Sequence, residues 1–579
     1  MAGRVERRWT LRAPDAEAVR EIRAATGLSP TAASILVNRG IVAPADAGAF
    51  LSGTLRDLSE PHAMKGLAEG SARLFEAGRR REPVLIYADY DADGAGLHAV
   101  LFLTLREIFP DLPVRVHQNH RTRDGYGIKD VHLEEAAREG VRVVVTVDCG
   151  ISDVGPVSRA AARGIDVIVT DHHLPGDELP PAFAVIDPRR KDCPHPDKDL
   201  AGVGVAFLLA CGVRRAARDA DPAGNGPLPN MRQCLDLVAL GTVADMVPLR
   251  GDNRIFVRAG LEEMRARPRP GIRALMAVAG CSGETVSETD LAFRLGPRLN
   301  AASRVGDPGR SFEILVTDDD SIAAPIAAEL HRDNARRQAE EERILREAER
   351  LLSAAPPGPG YGAIVLSDPA WHPGVLGIVA SRLADRFHRP TVLLREEEGE
   401  AKGSCRSVEE FPLIDALAEL APILSRYGGH RQAAGVAMPL ANLPAFREGL
   451  AGIARRYAEG RDVSPRIFVD AEVGLRDVST AFLAELERLR PFGMGNEEPV
   501  LLVRNVRVGR VVPMGADGRH TRFEVADRDR RFEVVAFHRN GLPVGPGEPL
   551  DLLFTPQRNH YRGTGSVRLM HRDARPHVP

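Results

Sequence analysis

The chain of 579 residues is poor in the chemistry that would mark it as secreted, membrane-bound or zinc-stapled. Its six cysteines (Cys149, Cys193, Cys211, Cys234, Cys281 and Cys405) form no CxxC pair, which fits reduced thiols better than a disulfide framework or a zinc knuckle. Cys193 and His195 lie close together, but no second Cys/His pair stands at ligand spacing. There is no apolar run of about 18 residues, so no membrane partner is expected. The first twenty residues, MAGRVERRWTLRAPDAEAVR, lack the apolar core of a signal peptide, and a cytoplasmic location is expected. Aromatics make up only 5%, and the net charge of −3 excludes a strongly basic whole-chain footprint for nucleic acid. No internal repeat or low-complexity tract stands out.

What is present is unevenly distributed. Residues 501–579 hold 14 Arg against 8 Asp and Glu, a basic tail that suits either a polyanion or a solvated surface. From about 84 to 250, apolar β-branched runs alternate with helical stretches. VLIY (84–87), VRVH (114–117), VRVVVTVD (141–148) and DVIVTD (166–171) are read as strands of a mostly parallel sheet, buried on both faces. Residues 321–354, rich in Ala, Glu, Arg and Leu, read as a long helix too polar all round for a core, connecting two domains. A second α/β region begins at YGAIVLSD (361–368). After 466, short β-type runs between Gly, Pro and Asp turns suggest a small barrel or sandwich. The first 80 residues look helical.

The chemistry concentrates in VLIYADYDADG (84–94), where Asp89, Asp91 and Asp93 crowd together after a buried strand. Carboxylates this close repel one another and raise each other's pKa, so a metal ion, a ring of arginines or water must sit among them. The carboxyl ends of strands in open parallel sheets are where ligands bind. VVVTVDCG brings Asp148 to such an end, and VIVTDHHLPG brings Asp171, His172 and His173 to another. Asp245 closes the apolar run LDLVALGTVADMVPL. Carboxylates with one or two imidazoles and no thiolate suit Mn²⁺ or Mg²⁺. A ligand set this large could hold two ions, which activate water and stabilise both oxygens of an in-line phosphoryl displacement.

Asp171-His172-His173, in this setting, resembles the signature of the DHH phosphoesterase superfamily. GPRLNAASRVGD (296–307), WHPGVLGIVASRL (371–383), KGSCRS (402–407), GGHRQAAG (428–435) and PFGMGNEEP (491–499) extend the resemblance to its RecJ family, across roughly 30–575. The resemblance implies an α/β protein: a parallel-sheet DHH domain joined by a long helix to an α/β DHHA1 domain, followed by an all-β barrel of the oligonucleotide-binding (OB) type. The corresponding boundaries are a helical segment at 1–80, the DHH catalytic domain at 81–320, the connecting helix at 321–358, DHHA1 at 359–460 and the OB domain at 461–579.

The activity implied is metal-dependent 5′→3′ exonucleolytic hydrolysis of single-stranded DNA in recombination and repair. The metal ligands implied are Asp91, Asp93, Asp148, His172 and Asp245, with Asp148 bridging. Many superfamily members carry His where this chain has Tyr87, so Asp89 is expected to complete the first ion's shell. His173 is expected to contact the scissile phosphate or support the ligands. Arg121, Asn300 and Arg304, with Ser404, Arg406 and His430, are the implied substrate contacts; bidentate guanidinium suits a terminal phosphate. Ser303 stands where relatives often have Gly. Trp371 and His372 could stack on a base or cap the helix that follows. Phe492, Phe532, Phe537 and Tyr561 are the barrel's candidate stacking residues, most of them expected in the core. Implied partners are single-stranded DNA, a single-strand-binding protein and a RecQ-type helicase, and the family analogy favours a monomer.

Overall fold

The computed structural model describes residues 7–89, 92–121, 123–221, 228–354, 361–515, 518, 520–539, 541–559 and 566–578, with only the backbone of 92, 93, 95 and 97. The chain forms two compact units. One comprises Arg7, Ser59–Asp245 and Phe256–Pro465, and the other Arg8–Leu58, Met246–Ile255 and Arg466–Pro579.

The first unit is built on a five-stranded sheet in the spatial order Val114–Gln118, Val84–Ala88, Val143–Val147, Asp166–Thr170, Ala184–Ile186. Every pairing is parallel, so all carboxyl ends share one edge. Val84–Ala88 and Val143–Val147 are buried at every position, as continuous Val/Ile runs require when both faces are covered. Leu85, Tyr87, Val144, Val167 and Val169 pack with Leu133, Val141 and Val157 in one cluster. Each such side chain contributes about 1.5–3 kcal/mol by leaving water. The short fifth strand was not foreseen. Helix Leu67–Arg80 comes close beside it, with Gly70 so near that an added Cβ would lie 2.9 Å from Ile186 Cδ1.

A second, mixed sheet in the same unit runs Arg426–Gly429, Ala433–Pro439, Glu400–Arg406, Thr391–Glu397, Ile364–Ser367. Helix Asp320–Ala354 leads to it. The expectation of an all-polar helix needs correction, because one stripe of it is buried. Ile344, Ala348 and Leu352 on that stripe pack with Trp371, Leu376 and Leu383. Its sequence hides the stripe because Ala and buried Glu341, paired with Arg337 at 2.7 Å and Arg382 at 2.6 Å, occupy core positions.

The second unit holds a barrel of strands Leu501–Met514, His520–Ala526, Arg531–Ala536, Val567–Pro576 and Pro549–Arg558, closed by the pairing of the first with the last. Residues near both termini build this unit together. Strand Arg8–Leu11 pairs in parallel with Arg466–Val469, and helices Ala16–Thr26, Pro30–Asn38 and Pro44–Ser52 share a core with Leu475, Phe482 and the barrel interior. The PFGMGNEEP motif serves this scaffold. Buried Arg39 donates to Asn496 Oδ1 and the Glu497 carbonyl. Arg254, stacked 3.6 Å over Phe50, donates to the carbonyls of Pro491 and Arg490. Among the described residues, no helix is long and apolar enough to cross a membrane.

Candidate metal centre and phosphate pocket

Asp89, Asp148 and Asp171 each follow the last residue of a strand in the parallel sheet by one position, and all three are buried. The backbone hydrogen bonds continue one step past the strands, Asp148 N–H to Thr170 O and Asp171 N–H to Ile186 O, both at 3.1 Å. Asp148 then turns into the left-handed region at φ 59°, a conformation a non-glycine residue holds only when its surroundings impose it. That turn lies where His172 Nε2 comes to 3.0 Å from Asp148 Oδ1. Asp245 arrives from a different kind of element. The run 235–244 is a helix, and Asp245 is its C-cap, with Oδ2 3.5 Å from the same Nε2.

Asp171 anchors this arrangement. Its Oδ1 accepts from the backbone N–H of His172 (2.8 Å) and His173 (3.1 Å) and meets His173 Nδ1 at 2.8 Å. Its Oδ2 accepts from Ile151 N–H at 3.0 Å. Burial alone would raise its pKa, but these bonds and the two imidazoles hold it below the ordinary carboxylate value. Burial likewise opposes charge on His173, yet the Asp171 bond and Asp148 raise its pKa to about 9. Asp187, at the end of the fifth strand, is fully buried, and burial with the charge of Asp171 pushes it up to about 7.

Ligand atoms of Asp148, His172 and His173 lie within 4.8 Å of one another. The donor set is oxygen and imidazole nitrogen, which fits a hard or borderline divalent ion such as Mn²⁺ or Mg²⁺. Cys149 adds no thiolate: it is buried, its Sγ faces Tyr87 O at 4.0 Å, and burial pushes its pKa well up. The side chains of Asp91 and Asp93 lie outside the described residues.

The candidate substrate residues gather in the same unit. His430 follows strand Arg426–Gly429, and its ring lies nearly parallel to that of His173, with centroids 6.3 Å apart and an interplanar angle of 15°. Arg304, at the end of helix Gly296–Val305, donates from Nη1 to Gly374 O at 2.9 Å. This contact joins it to the first turn of helix Pro373–Phe387. Two glycines of that helix permit close approach. A Cβ on Gly374 would lie 2.5 Å from Arg304 O, and one on Gly377 would lie 2.7 Å from Arg406 Nη2 and 3.5 Å from Ser404 Oγ. Asn300 is half-buried on the Arg304 helix, where Ser303 Oγ donates to its carbonyl at 3.2 Å. Arg121 is half-buried in the loop after Val114–Gln118.

Trp371 is no base-stacking residue: it is 0% exposed, and its Nε1 donates to Glu347 at 2.8 Å. His372 is the helix cap, its Nδ1 accepting from Gly374 N–H. Phe492 and Phe532 pack against the barrel core, Phe537 is 54% exposed, and Tyr561 lies outside the described residues. Sequence reasoning missed Tyr126. Its hydroxyl lies 3.1 Å from His173 Nδ1 and donates to Asp148 O at 3.3 Å. Its place five residues after Arg121, in the same loop, was the available signal.

Three family models match successive parts of the chain. A model of the DHH family N-terminal domain matches residues 83–242, one of the DHHA1 domain matches 360–455, and one of the RecJ OB domain matches 469–573. The single-stranded-DNA-specific exonuclease RecJ of Bacillus subtilis is 35% identical over 571 residues, covering 98% of this chain and 70% of that protein. The chain belongs to the RecJ family. Its Escherichia coli member is 36% identical, covering 76% of this chain and 77% of that protein. The crystal structure of the Thermus thermophilus RecJ in complex with Mn²⁺ superimposes with a TM-score of 0.83 at 33% identity, covering 100% of this chain and 81% of that one. The Mg²⁺ complex gives 0.76 at 31%, covering 99% and 79%.

Proposed function

We propose that this chain is a single-stranded-DNA-specific exonuclease that uses Mn²⁺ or Mg²⁺, removes nucleotides from the 5′ end, and serves recombination and repair. The observation that carries the reading is the convergence of Asp148 Oδ1 and Asp245 Oδ2 on His172 Nε2, at 3.0 and 3.5 Å, on the carboxyl edge of a parallel sheet. Asp89, Asp91, Asp93, Asp148, His172 and Asp245 would hold two ions. Ions bound there supply Lewis acidity toward the attacking water and the phosphate oxygens.

The chain's own residues bind and orient the strand. Asp171 fixes the backbone and ring of His173, which faces the scissile phosphate together with His430. Arg304, Ser404 and Arg406 gather at the start of helix Pro373–Phe387, whose N-terminus carries about half a positive charge. Arg121 and Asn300 complete this grip. Such a pocket holds a terminal phosphate more tightly than an internal diester, because the terminal group carries more negative charge. That difference favours a phosphorylated strand end over an internal position; the choice of the 5′ end rests on the family resemblance. The barrel and its excess of Arg would guide the rest of the strand. A helicase and a single-strand-binding protein would supply it.

The test uses a 3′-labelled single-stranded oligonucleotide with Mn²⁺, with the 5′ or the 3′ end blocked in parallel. Progressive shortening that stops only with the 5′ block, and an inert Asp148→Ala variant, is the expected result. Survival of long strands alongside cleavage of dinucleotides or pyrophosphate would leave the metal chemistry and remove the nuclease reading.

A further inference from the structure

Tyr87 stands two residues before Asp89 and is fully buried in the second strand of the sheet order. Its hydroxyl is committed to two partners inside the protein. It donates to Asn119 Oδ1 at 2.7 Å and accepts the Lys129 N–H at 3.1 Å. Its ring lies 4.9 Å from His117, its register partner, and 6.1 Å from His132.

Asn119 is fully buried too, and it closes the loop that follows strand Val114–Gln118. Its Nδ2 donates to the carbonyls of Gly125 at 3.2 Å and Gly127 at 2.9 Å. Asp124 tightens the turn by accepting from His120 N–H at 2.7 Å. The two hydrogen bonds of Tyr87 therefore hold both ends of the segment 119–129. This segment carries Arg121 and Tyr126, and the Tyr126 hydroxyl reaches Asp148 O and His173 Nδ1.

We propose that Tyr87 and Asn119 are positioning residues that set the loop 119–129 against the Asp148–His173 edge, and so determine how tightly DNA is held rather than whether metal binds. This rests on the nuclease reading. Where many superfamily members carry an imidazole two residues before Asp89, the phenol of this chain ties down the 119–129 segment. Without these bonds the segment keeps its Asp124 turn, the Asn119 N–H bond to Ala88 O at 3.1 Å and the Ile128 N–H bond to Asp153 Oδ2 at 2.8 Å. It loses a tie at each end, however, and samples more conformations, so Arg121 and Tyr126 would meet the strand less often in the competent one.

Tyr87→Phe removes only the hydroxyl, and Asn119→Ala removes the other half of the tie. Tyr87→Phe forfeits two such bonds and Asn119→Ala three. Each corresponds to up to about a tenfold effect, of which only part reaches the DNA-binding step, so the expected scale for Tyr87→Phe is about three- to tenfold. In steady-state assays on a 5′-phosphorylated single strand, KM should rise by that factor in Tyr87→Phe and further in Asn119→Ala. In Tyr87→Phe, kcat and the Mn²⁺ affinity, read from the electron paramagnetic resonance of free Mn²⁺, should stay within about twofold. Amide exchange over 120–129 should accelerate in both variants. Unchanged KM, unchanged loop exchange, or a tenfold loss of Mn²⁺ affinity in Tyr87→Phe would each overturn the proposal. A wild-type protein inert on DNA would remove the nuclease reading instead, and the exchange data would still decide whether the loop is pinned.

Discussion

Asp171→Asn separates anchoring from metal binding at this site. The carboxylate is 0% exposed and receives three backbone N–H groups together with the His173 ring. Asparagine keeps the shape but offers only one acceptor oxygen. With that oxygen turned toward the two histidines, the new amide NH₂ faces the Ile151 N–H that lay 3.0 Å from Asp171 Oδ2. One charge-assisted hydrogen bond is lost and a buried donor is left facing a donor, at a cost of about 2–4 kcal/mol. The bonds to His172 and His173 become neutral and weaken further. Thermal unfolding of the metal-free protein should therefore fall by roughly 2–5 °C, the scale for a unit this large. Mn²⁺ affinity should drop about 10–100-fold, as for other groups that orient ligands, and less than for Asp148→Asn. A variant that melts with the wild type and binds Mn²⁺ equally well would refute the reasoning.

Other outcomes follow from the same geometry. Arg406→Gln should erase the preference for a 5′-phosphorylated over a 5′-hydroxyl strand, measured as a ratio of kcat/KM, while leaving Mn²⁺ binding unchanged. Phe537→Ala should weaken single-strand binding about tenfold in fluorescence anisotropy, since stacking contributes about 1–3 kcal/mol per base. His98 is fully buried, and burial depresses its pKa to about 3. A depressed histidine stabilises the fold above its unfolded pKa near 6.5, and that stability is lost as pH falls toward 3. Urea unfolding at pH 5 should accordingly show about 2 kcal/mol less stability than at pH 8 from this group, and His98→Leu should flatten that slope.

The parts of the fold that were legible are those whose sequence pattern has one physical reading. Val143–Val147 and Asp166–Thr170 are β-branched throughout their buried positions, and the acid or histidine after each must then sit at a sheet edge. The run before Asp245 is apolar but not β-branched, so its length and composition fit helix as well as strand, and the helix won. Ala184–Ile186 is three residues long and gives no periodicity to read. The pairing of Arg8–Leu11 with Arg466–Val469 spans most of the chain, and neither strand states its partner. The same limit hid the approach of His173 to His430 and the work of Tyr126, which depend on loops closing in space. Trp371 illustrates the converse: beside a candidate phosphate pocket it invited a functional role, but its indole fills the core under helix Asp320–Ala354.

The central claim is that Asp148, His172 and Asp245 converge on a divalent cation. Diffraction at the manganese absorption edge from crystals grown with Mn²⁺ tests it most directly. The account predicts an anomalous peak at ligand distance from His172 Nε2 and a carboxylate oxygen of Asp148, with a second ion sharing Asp148. A map without a peak there, or with its only strong peak at another set of residues, would contradict it.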